Sequence, residues 1–514
     1  MTSDSYDEIP YDSTPFAETH PDHLWALARL HGVAAADPAG ASVLELGCAG
    51  GGNIVPLAYY RPGTRVLGIE RSAGQVAAAG GLIRRLGLAN IEVRQGDIGE
   101  VGAELGRFDY IVAHGVYSWV PEPVREHILV LCRELLSENG VAYISYNALP
   151  GWRMRGMLRD MLLHHCRHAS TPRARLAAAH GLFDLLDRAT KGLDALSARY
   201  LRGEIAMLRK AHPSYLYHEF LEETNQPFLF SQFAADCARH GLQYLCDAEL
   251  ATAFPSILGD AAEEALEPIT DPLEREQYLD FVRNRNFRQS LVCRAERAVN
   301  RGLDLEQFER FAFSALLAPA KKPELGRVRD QAFVALGGEA YAVSHPLTKA
   351  ALLHLAAAYP DAVPFPDLAA AAQHHLLASG APQFADQAGH LFGELFGLFA
   401  RQAVRACPRA ERFDTRVPAR PRLNALARAQ AEMNLGHLAT ARHGTVALDD
   451  FAGRLARLLD GSRGVEELAA AMSAAVEGGE LRVETGGARI AAKVAANVER
   501  LLAVFARQGL FAGP

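Results

Sequence analysis

The 514-residue sequence has few cysteines, no excess of basic residues and no long apolar run. Its seven cysteines are scattered and form no C-x-x-C pair, which argues against a disulfide framework and a structural zinc site. The formal net charge of −7 provides no general attraction to nucleic acids or anionic membranes. No apolar stretch approaches the length of a membrane span and the first residues are acidic, so we expect a cytoplasmic protein without membrane insertion.

The sequence also lacks the motifs of hydrolytic enzymes. It contains no H-E-x-x-H pair and no recognisable Ser-His-Asp or paired-carboxylate arrangement. The sequence therefore indicates neither a hydrolytic mechanism nor a metal site.

The most informative stretch is a hydrophobic strand followed by a glycine-rich turn. Ser42–Leu46 is predicted to be a buried parallel strand, and from Gly47 onward four glycines and one alanine occupy five of six positions. So few side chains allow a ligand to approach the backbone N–H groups at the start of the next helix. Glu70 ends the following predicted strand, 70 − 47 = 23 residues after Gly47, where a carboxylate can bind both hydroxyls of a ribose. The predicted cofactor contacts are Glu45, Gly47, Cys48, Ala49, Asn53, Glu70 and Arg71.

This pattern alone leaves the cofactor open, because nicotinamide and flavin enzymes use a similar turn and a similar acid. Glu45 lies two residues before Gly47 and gives E-x-G-x-A-x-G, which resembles motif I of class I S-adenosylmethionine (SAM) methyltransferases, with an alanine in place of the usual middle glycine. The G-D-I triplet at residues 96–98, after the third predicted strand, is similar to the adenine-binding turn of that family. The resemblance implies SAM as the cofactor and adds Asp97 and Ile98 to its contacts.

The segment before the first strand is rich in rings and prolines. Three prolines and three aromatic residues between residues 6 and 21 predict an arm that packs against the rest of the chain. In class I methyltransferases this segment commonly closes over the cofactor, so the resemblance makes Tyr11, Ser13 and His20 candidate lid residues. Packing of the rings on the edge of the sheet is the alternative.

Polar and aromatic residues follow the fourth and fifth predicted strands, at the edge where open α/β sheets bind ligands. An exposed loop has no structural need for tyrosine and tryptophan, so the loop after the fourth strand is predicted to form a wall of the substrate pocket. His114, at the end of that strand, is the nearest candidate base, but it equally suits the methionine end of the cofactor, to which we assign it. The predicted catalytic pocket consists of Tyr117, Trp119, Tyr146, Asn147 and Trp152.

Three longer motifs narrow the resemblance to one bacterial family. Y-D-x-I-P-Y at residues 6–11, H-G-V-Y-S-W-V-P at 114–121 and S-Y-N-A-L-P-G-W at 145–152 resemble SAM methyltransferases that carry a methyltransferase regulatory domain. Residues 215–221 and 286–291 are similar to that regulatory region. Characterised relatives include protein-lysine methyltransferases that act on outer-membrane proteins. The resemblance therefore implies a protein or peptide substrate, with lysine amines as the expected methyl acceptors.

The chemistry of lysine methylation suits a ring-lined pocket. An ammonium with a pKa of about 10.4 has no lone pair, so the site must supply the amine uncharged. Aromatic walls stack along the alkyl chain, lower the amine pKa by desolvation and tolerate a methylated cation through cation–π attraction. Two alternatives stay open: methylation of a small metabolite or biosynthetic peptide at nitrogen or oxygen, and a non-catalytic SAM-binding scaffold.

The predicted fold class is α/β, with a Rossmann-like class I methyltransferase sheet interrupted by a helical insertion. The sheet is placed across residues 1–151 and 213–297, and the second part completes it with two strands, the last one antiparallel. The insertion, residues 152–212, contains 12 Lys and Arg against 5 Asp and Glu. It is either a solvated basic element or, as the resemblance implies, the oligomerisation hairpin of a homodimer.

The rest of the chain is divided into residues 298–410 and 411–514, both mostly α-helical and winged-helix-like. Residues 401–428 contain eight arginines and three prolines and are predicted to be an exposed connector. Winged helices often bind DNA, but 24 basic and 22 acidic residues in 301–514 are too balanced for a phosphate footprint. We therefore expect no nucleic-acid partner, and favour protein recognition or an architectural role.

Overall fold

The computed structural model describes residues 8–9, 11, 13–481 and 490–513. Within these ranges the main sheet is built from β1 (Ser42–Leu46), β2 (Arg65–Glu70), β3 (Ile91–Gln95), β4 (Phe108–Ala113), β5 (Leu136–Asn147), β6 (Leu242–Asp247) and β7 (Phe287–Arg294). The strand order is β3-β2-β1-β4-β5-β7-β6. Strands from β3 to β5 are parallel to their neighbours, whereas β7 runs antiparallel to both β5 and β6. The predicted fold class is confirmed, including the two late strands.

Along each strand the side chains alternate between the two faces of the sheet, and both faces are buried. Leu44 and Leu46 of β1 join the hydrophobic cluster on one face, while Val43 joins the cluster on the other. Glu45 shares the face of Val43, and only 4% of it is exposed. A carboxylate buried in a core strand costs free energy unless it has a partner, so its place indicates a functional role.

Helices pack on the sheet, and those of the insertion form a bundle beside it. Leu158, Phe183 and Ile205 of this bundle share a hydrophobic cluster with Tyr217 and Phe220, which belong to the next helix. The insertion therefore has its own small core. The helices of this half are α1 (Pro21–Leu30), α2 (Ile54–Tyr60), α3 (Ala73–Leu86), α4 (Glu122–Leu135), α5 (Trp152–Cys166), α6 (Pro172–Ala189), α7 (Leu196–Leu208), α8 (Pro213–Phe220), α9 (Phe230–Arg239), α10 (Asp260–Leu266) and α11 (Pro272–Arg283).

The second half combines helices with short strands. The elements are β8 (Ala312–Ser314), β9 (Leu317–Pro319), β10 (Gln331–Ala335), β11 (Ala340–Val343), α12 (Pro346–Ala358), β12 (Val363–Pro364), α13 (Phe365–Ala378), α14 (Ala388–Ala400), β13 (Arg405–Cys407), α15 (Ala425–Glu432), β14 (His437–Ala439), β15 (Thr445–Ala447), α16 (Asp450–Leu458), α17 (Val465–Glu477) and α18 (Ile490–Arg507). The strands β10 and β11 form an antiparallel hairpin around Gly337 and Gly338.

One prediction for this half is wrong. Residues 401–428 are not a simple exposed connector, because β13 pairs with β8 and only 4% of Ala406 and 2% of Cys407 are exposed. The helix α14 ends at Ala400, before this strand begins.

The two C-terminal parts differ in the hydrophobic cores to which their residues belong. Phe308, Phe313 and Leu347 share one hydrophobic cluster with Val43 and Tyr143 of the sheet, so the middle segment extends the core of the sheet. Residues 423–510 contain a cluster of their own. The boundaries at residues 151, 212, 297 and 410 stay predictions. In the part of the chain that the structure describes, no helix combines the length and the apolar character needed to cross a bilayer.

Candidate active site

Several backbone N–H groups of the glycine-rich turn between β1 and α2 already have hydrogen-bond acceptors within the protein. The N–H groups of Gly47 and Cys48 both donate to the carbonyl oxygen of Ile69, at 2.8 and 3.2 Å. The N–H of Gly52 donates to Oγ of Ser13 at 2.8 Å. These bonds occupy three N–H groups of the turn, and the approach of a ligand to the N–H groups at the start of α2 stays a prediction. Because the turn has almost no side chains, a ligand can approach its backbone closely.

Ala49, in the middle of the turn, has a left-handed backbone with a φ of +46°. This conformation costs a residue with a Cβ atom roughly 1–2 kcal/mol, which explains why glycine is usual at this place in the motif. It directs the N–H of Ala49 to Oε2 of Glu70 at 2.9 Å, while Oε1 of Glu70 accepts from the N–H of Ser72 at 2.8 Å. The Glu70 carboxylate is therefore fixed beside the turn.

Glu45 and Asn53 form a buried pair next to the turn. Nδ2 of Asn53 donates to Oε1 of Glu45 at 2.9 Å. Burial, helped by the nearby charge of Glu70, raises the pKa of Glu45 to about 7, although the hydrogen bond from Asn53 opposes this shift. Oε2 of Glu45 is buried and has no hydrogen-bond partner within the described residues. A cationic ligand group would be stabilised there.

The N-terminal arm lies over this pair. The N–H of Phe16 donates to Oδ1 of Asn53 at 2.9 Å. A Cβ atom added to Gly52 would lie 1.9 Å from the carbonyl oxygen of Ser13, so the arm can approach this closely only because residue 52 is glycine.

The candidate lid residues have three different environments. Ser13 contacts the turn directly, as described above. Nδ1 of His20 accepts from the N–H of Asp22 at 3.2 Å and caps α1. The ring of Tyr11 lies 5.5 Å from that of His218 on α8, so this part of the arm is held by the regulatory region.

His114, at the end of β4, faces the arm. Its ring lies 4.0 Å from the ring of Phe16, and its Nδ1 is 2.9 Å from the hydroxyl of Tyr143. Burial lowers the pKa of His114 to about 4, so the imidazole is neutral at pH 7. A neutral ring of low basicity is a poor base for an ammonium but does not repel a cation. This favours its assignment to the cofactor.

The predicted pocket rings Tyr117 and Tyr146 lie in the hydrophobic core. Their centroids are 6.2 Å apart, and both pack against Phe228 and Phe233. Only 1% of Tyr117 and 0% of Tyr146 is exposed, so neither ring is accessible to a substrate in this structure. The prediction of a ring-bearing exposed loop is wrong for Tyr117, because a segment about 110 residues later covers it.

The two tryptophans do not join those tyrosines in one pocket. Trp152 is 4% exposed and packs near Phe220, with the guanidinium of Arg155 5.7 Å from its ring. Trp119 is half-buried in the loop after β4. The four rings are therefore spread over the core, the insertion and a loop.

Asn147 begins a polar chain that leads from β5 to α8. Its Nδ2 donates to Oδ1 of Asn225 at 3.0 Å, and Nδ2 of Asn225 donates to the carbonyl oxygen of Glu219 at 3.2 Å. Burial raises the pKa of Glu219 to about 7, against the opposing effect of the Arg155 charge. Within the described residues the Glu219 carboxylate makes no hydrogen bond or ion pair.

The remaining predicted cofactor residues lie along the same edge of the sheet. The Cys48 thiol is buried, and a Cβ atom added to Gly68 would lie 2.5 Å from its sulfur, so this side chain packs on β2. Oδ1 of Asp97 accepts from the main-chain N–H two residues later at 2.8 Å. Ile98 is half-buried against the sheet core, and Arg71 is exposed.

Sequence reasoning missed three residues that the structure places in these networks: Asn225, Glu219 and His443. Glu219 lies in the Y-L-Y-H-E-F-L segment that resembles the regulatory region, which was its only signal. His443 is 443 − 53 = 390 residues from Asn53, yet its Nε2 lies 2.8 Å from Oδ1 of that residue. No local pattern indicates such a contact.

Comparison with known proteins identifies three domains in the chain. Residues 37–175 match a model described as a methyltransferase domain, and residues 212–294 match a predicted methyltransferase regulatory domain. Residues 419–510 match the C-terminal winged-helix domain of PKMT.

Two uncharacterised proteins of Rickettsia prowazekii (strain Madrid E) are similar in sequence. RP028 is 34% identical over 229 residues, which is 45% of this chain and 92% of RP028. RP789 is 39% identical over 316 residues, which is 62% of this chain and 57% of RP789. The chain thus spans little more than half the length of RP789.

A solved structure resembles almost the whole chain. It is PKMT2 from Rickettsia typhi in complex with AdoHcy, which is 25% identical, with a TM-score of 0.86. The similarity covers 98% of this chain and 100% of that one. Fold, site and matches together define a class I SAM-dependent methyltransferase. The chain belongs to the bacterial SAM methyltransferases that carry a methyltransferase regulatory domain and a PKMT winged-helix domain.

The residues present suit the cofactor of this family, SAM. The unpartnered Oε2 of Glu45 is a buried acceptor for a cationic group, and the carboxylate of Glu70 lies at the end of β2, where ribose hydroxyls are bound in this fold. The neutral ring of His114 is compatible with a neighbouring sulfonium.

Proposed function

We propose that this protein transfers the methyl group of SAM to lysine amines of a protein substrate. The main support is the similarity to PKMT2, a protein lysine methyltransferase, because it extends over both C-terminal modules as well as the sheet. Enzymes that methylate small molecules have no evident need for such modules.

In this proposal the cofactor is held by carboxylates at the ends of β1, β2 and β3. Glu45 faces its cationic part, Glu70 binds its ribose and Asp97 lies at its adenine. Bound SAM supplies a methyl group on a good leaving group, so the protein mainly has to orient and desolvate the acceptor. Trp119, in the loop after β4, is proposed to line the acceptor side, and Asn147, the buried last residue of β5, is proposed to support that side through Asn225.

The acceptor ammonium also needs a base, and we propose Glu219 for this role. Its helix, α8, is tied to the end of β5 through Asn225 and Asn147. A carboxylate with a pKa near 7 and without a competing hydrogen bond binds an ammonium and takes its proton once burial has lowered the amine pKa. The lone pair freed on nitrogen would then be available to attack the donor methyl group, with the N–C bond forming as the S–C bond of bound SAM breaks and sulfur keeps the electron pair.

Methyl labelling of host proteins tests the acceptor. The full chain is incubated with labelled SAM and host lysate, and the products are separated by electrophoresis. We expect label in protein bands and methyl-lysine in their digests, and no label with Glu70→Ala. Label confined to the low-mass fraction would eliminate a protein acceptor.

We further propose that the protein is a homodimer and that the helical insertion forms its interface. It exposes large apolar side chains, with 47% of Leu185, 52% of Leu193 and 76% of Leu196 accessible. Light scattering should show a dimer that Leu196→Asp dissociates. Leu336→Asp is the matched control, because Leu336 is 62% exposed in the distant β10–β11 hairpin. A monomeric wild-type chain would contradict this proposal.

A further inference from the structure

The loop between β14 and β15 of the winged-helix module reaches the cofactor domain. Nε2 of His443 lies 2.8 Å from Oδ1 of Asn53, and its ring lies 4.9 Å from that of His20. Only 4% of His443 is exposed. A residue of the last module is therefore buried against Asn53, which in turn bonds Glu45 of β1.

The hydrogen bonds of Asn53 fix the direction of its amide. Nδ2 donates to Oε1 of Glu45 at 2.9 Å and to Oγ1 of Thr19 at 2.9 Å. Oδ1 accepts from the N–H of Phe16, which can only donate. His443 must therefore donate from Nε2, and all four bonding positions of the amide are filled.

The ring that makes this contact is neutral and held in place. Burial, together with nearby positive charges, lowers the pKa of His443 well below its usual value. Its loop is closed by hydrogen bonds from the N–H of Thr440 to the carbonyl oxygen of Gly444, at 2.9 Å, and from the N–H of Gly444 to Oγ1 of Thr440, at 3.0 Å. His443 itself has a φ of +54°. A residue in this unusual conformation, buried at an interface, is held there by its surroundings.

The surrounding interface is extensive and polar. Arg61, directly after α2, pairs with Asp22 at 2.6 Å and with Glu411, and Arg442 pairs with Glu411 at 2.5 Å. Asp22, Cys407 and Glu411 bring ligand atoms within 4.8 Å of one another, a grouping that resembles a metal site. Because two guanidinium groups already neutralise the carboxylates, the cluster is an ion network that joins the modules.

We propose that the winged-helix module completes the cofactor site, and that His443 is a positioning residue that acts through Asn53 on Glu45. Without the Nε2–H donor of His443, the Asn53 amide loses one of its four hydrogen bonds. The orientation of the Glu45 carboxylate is then less firmly fixed. The unpartnered Oε2 of Glu45 then meets the cofactor in a less ordered arrangement. The proposal depends on cofactor binding alone and holds whatever the methyl acceptor is.

Calorimetry with AdoHcy on the full chain separates positioning from simple packing. We expect His443→Ala to weaken AdoHcy binding about tenfold, within the usual range of coupling between sites, and His443→Gln, which keeps an N–H donor, to recover much of this loss. Tyr60→Phe is the matched control. It removes a hydroxyl that bonds the carbonyl oxygen of Ala439 and the side chain of Asn424 across the same interface, but does not touch Asn53. Its AdoHcy affinity should stay unchanged.

A double-mutant cycle tests whether His443 affects cofactor binding through Glu45. In a Glu45→Gln background, His443→Ala should add little further loss, because the carboxylate through which His443 acts is gone. An unchanged AdoHcy affinity in His443→Ala, or an equal loss in Tyr60→Phe, would overturn the proposal.

Hydrogen exchange on the wild-type chain gives a measurement that no folding defect can obscure. Coupling is reciprocal, so AdoHcy should increase the protection of amides in residues 437–447 as well as in the glycine turn. Protection confined to the cofactor domain would contradict the proposed role of the module.

Discussion

The N–H of Ala49 donates to Oε2 of Glu70 over 2.9 Å and joins the glycine turn to the end of the next strand. Through this bond the strained turn and the proposed ribose carboxylate position each other. Both residues can be tested separately, because the first is expected to affect mainly stability and the second mainly cofactor affinity.

Replacing Glu70 by Gln should weaken AdoHcy binding by at least tenfold. Hydrogen bonds to a charged group contribute about 1.5–3 kcal/mol each, and the amide turns one of the two acceptors into a donor. Calorimetry measures the loss. Glu92→Gln is the control, since Glu92 is exposed on β3 and pairs with Arg94. Equal affinities for both variants would exclude the proposed ribose contact.

Replacing Ala49 by Gly should leave the melting temperature unchanged or raise it. Glycine relieves roughly 1–2 kcal/mol of left-handed strain, which offsets the 0.5–1 kcal/mol or so that its greater freedom in the unfolded chain costs. Ala77→Gly, at an exposed place within α3, should instead lower stability by about 1 kcal/mol. Thermal unfolding of the two variants side by side decides the matter. A comparable decrease in both would refute the strain at Ala49.

Glu45 should make the unliganded protein less stable as the pH rises. Its pKa is about 7 in the folded chain and about 4.5 in the unfolded chain, so the folded state holds the extra proton between these values. The stabilisation is complete below pH 4.5, and is lost as the pH rises through 7. The difference in pKa corresponds to about 3 kcal/mol. We expect Glu45→Gln to flatten the fall in melting temperature between pH 5.5 and about pH 8.

The same group should make cofactor binding stronger at higher pH. A cationic ligand group requires the charged carboxylate, so AdoHcy binding should release a proton near pH 6 and strengthen toward pH 8. Calorimetry in buffers of different ionisation enthalpy measures this proton release. If Glu45→Gln releases as many protons as the wild type, Glu45 is not the titrating group.

Replacing Glu219 by Gln should slow methyl transfer about a hundredfold without changing AdoHcy affinity. Loss of a general base typically costs 10²–10⁴ in rate. With lysine peptide as substrate, the wild-type rate should rise with pH through about 7, and this rise should be absent from the variant. Glu223→Gln, on the exposed surface just after α8, is the control. A variant that keeps the wild-type rate and pH profile would eliminate Glu219 as the base.

Local sequence patterns were sufficient for the sheet. Short runs of β-branched and leucine residues predict parallel strands, and the E-x-G-x-A-x-G turn with Glu70 indicates the cofactor, because these features depend on residues close together in the chain. The late strands β6 and β7 were also predicted from their residue patterns, and the family resemblance assigned them to the same sheet.

The aromatic residues show that local sequence patterns do not predict which rings are buried. Tyr117 and Trp119 are two positions apart and look equivalent in sequence, yet Tyr117 is covered by Phe228 and Trp119 is half-buried. Whether a ring lines a pocket or packs in a core depends on a segment that the local sequence does not contain.

The sequence alone therefore determined the class of fold and predicted the place of the methyl donor, since both follow from strand periodicity and from a turn with almost no side chains. Tertiary structure decided which side chains surround that place. Asn53 bonds Phe16 of the arm, Glu45 of β1 and His443 of the last module. Such contacts arise when distant segments satisfy one buried amide, a requirement that leaves no periodic trace in the chain.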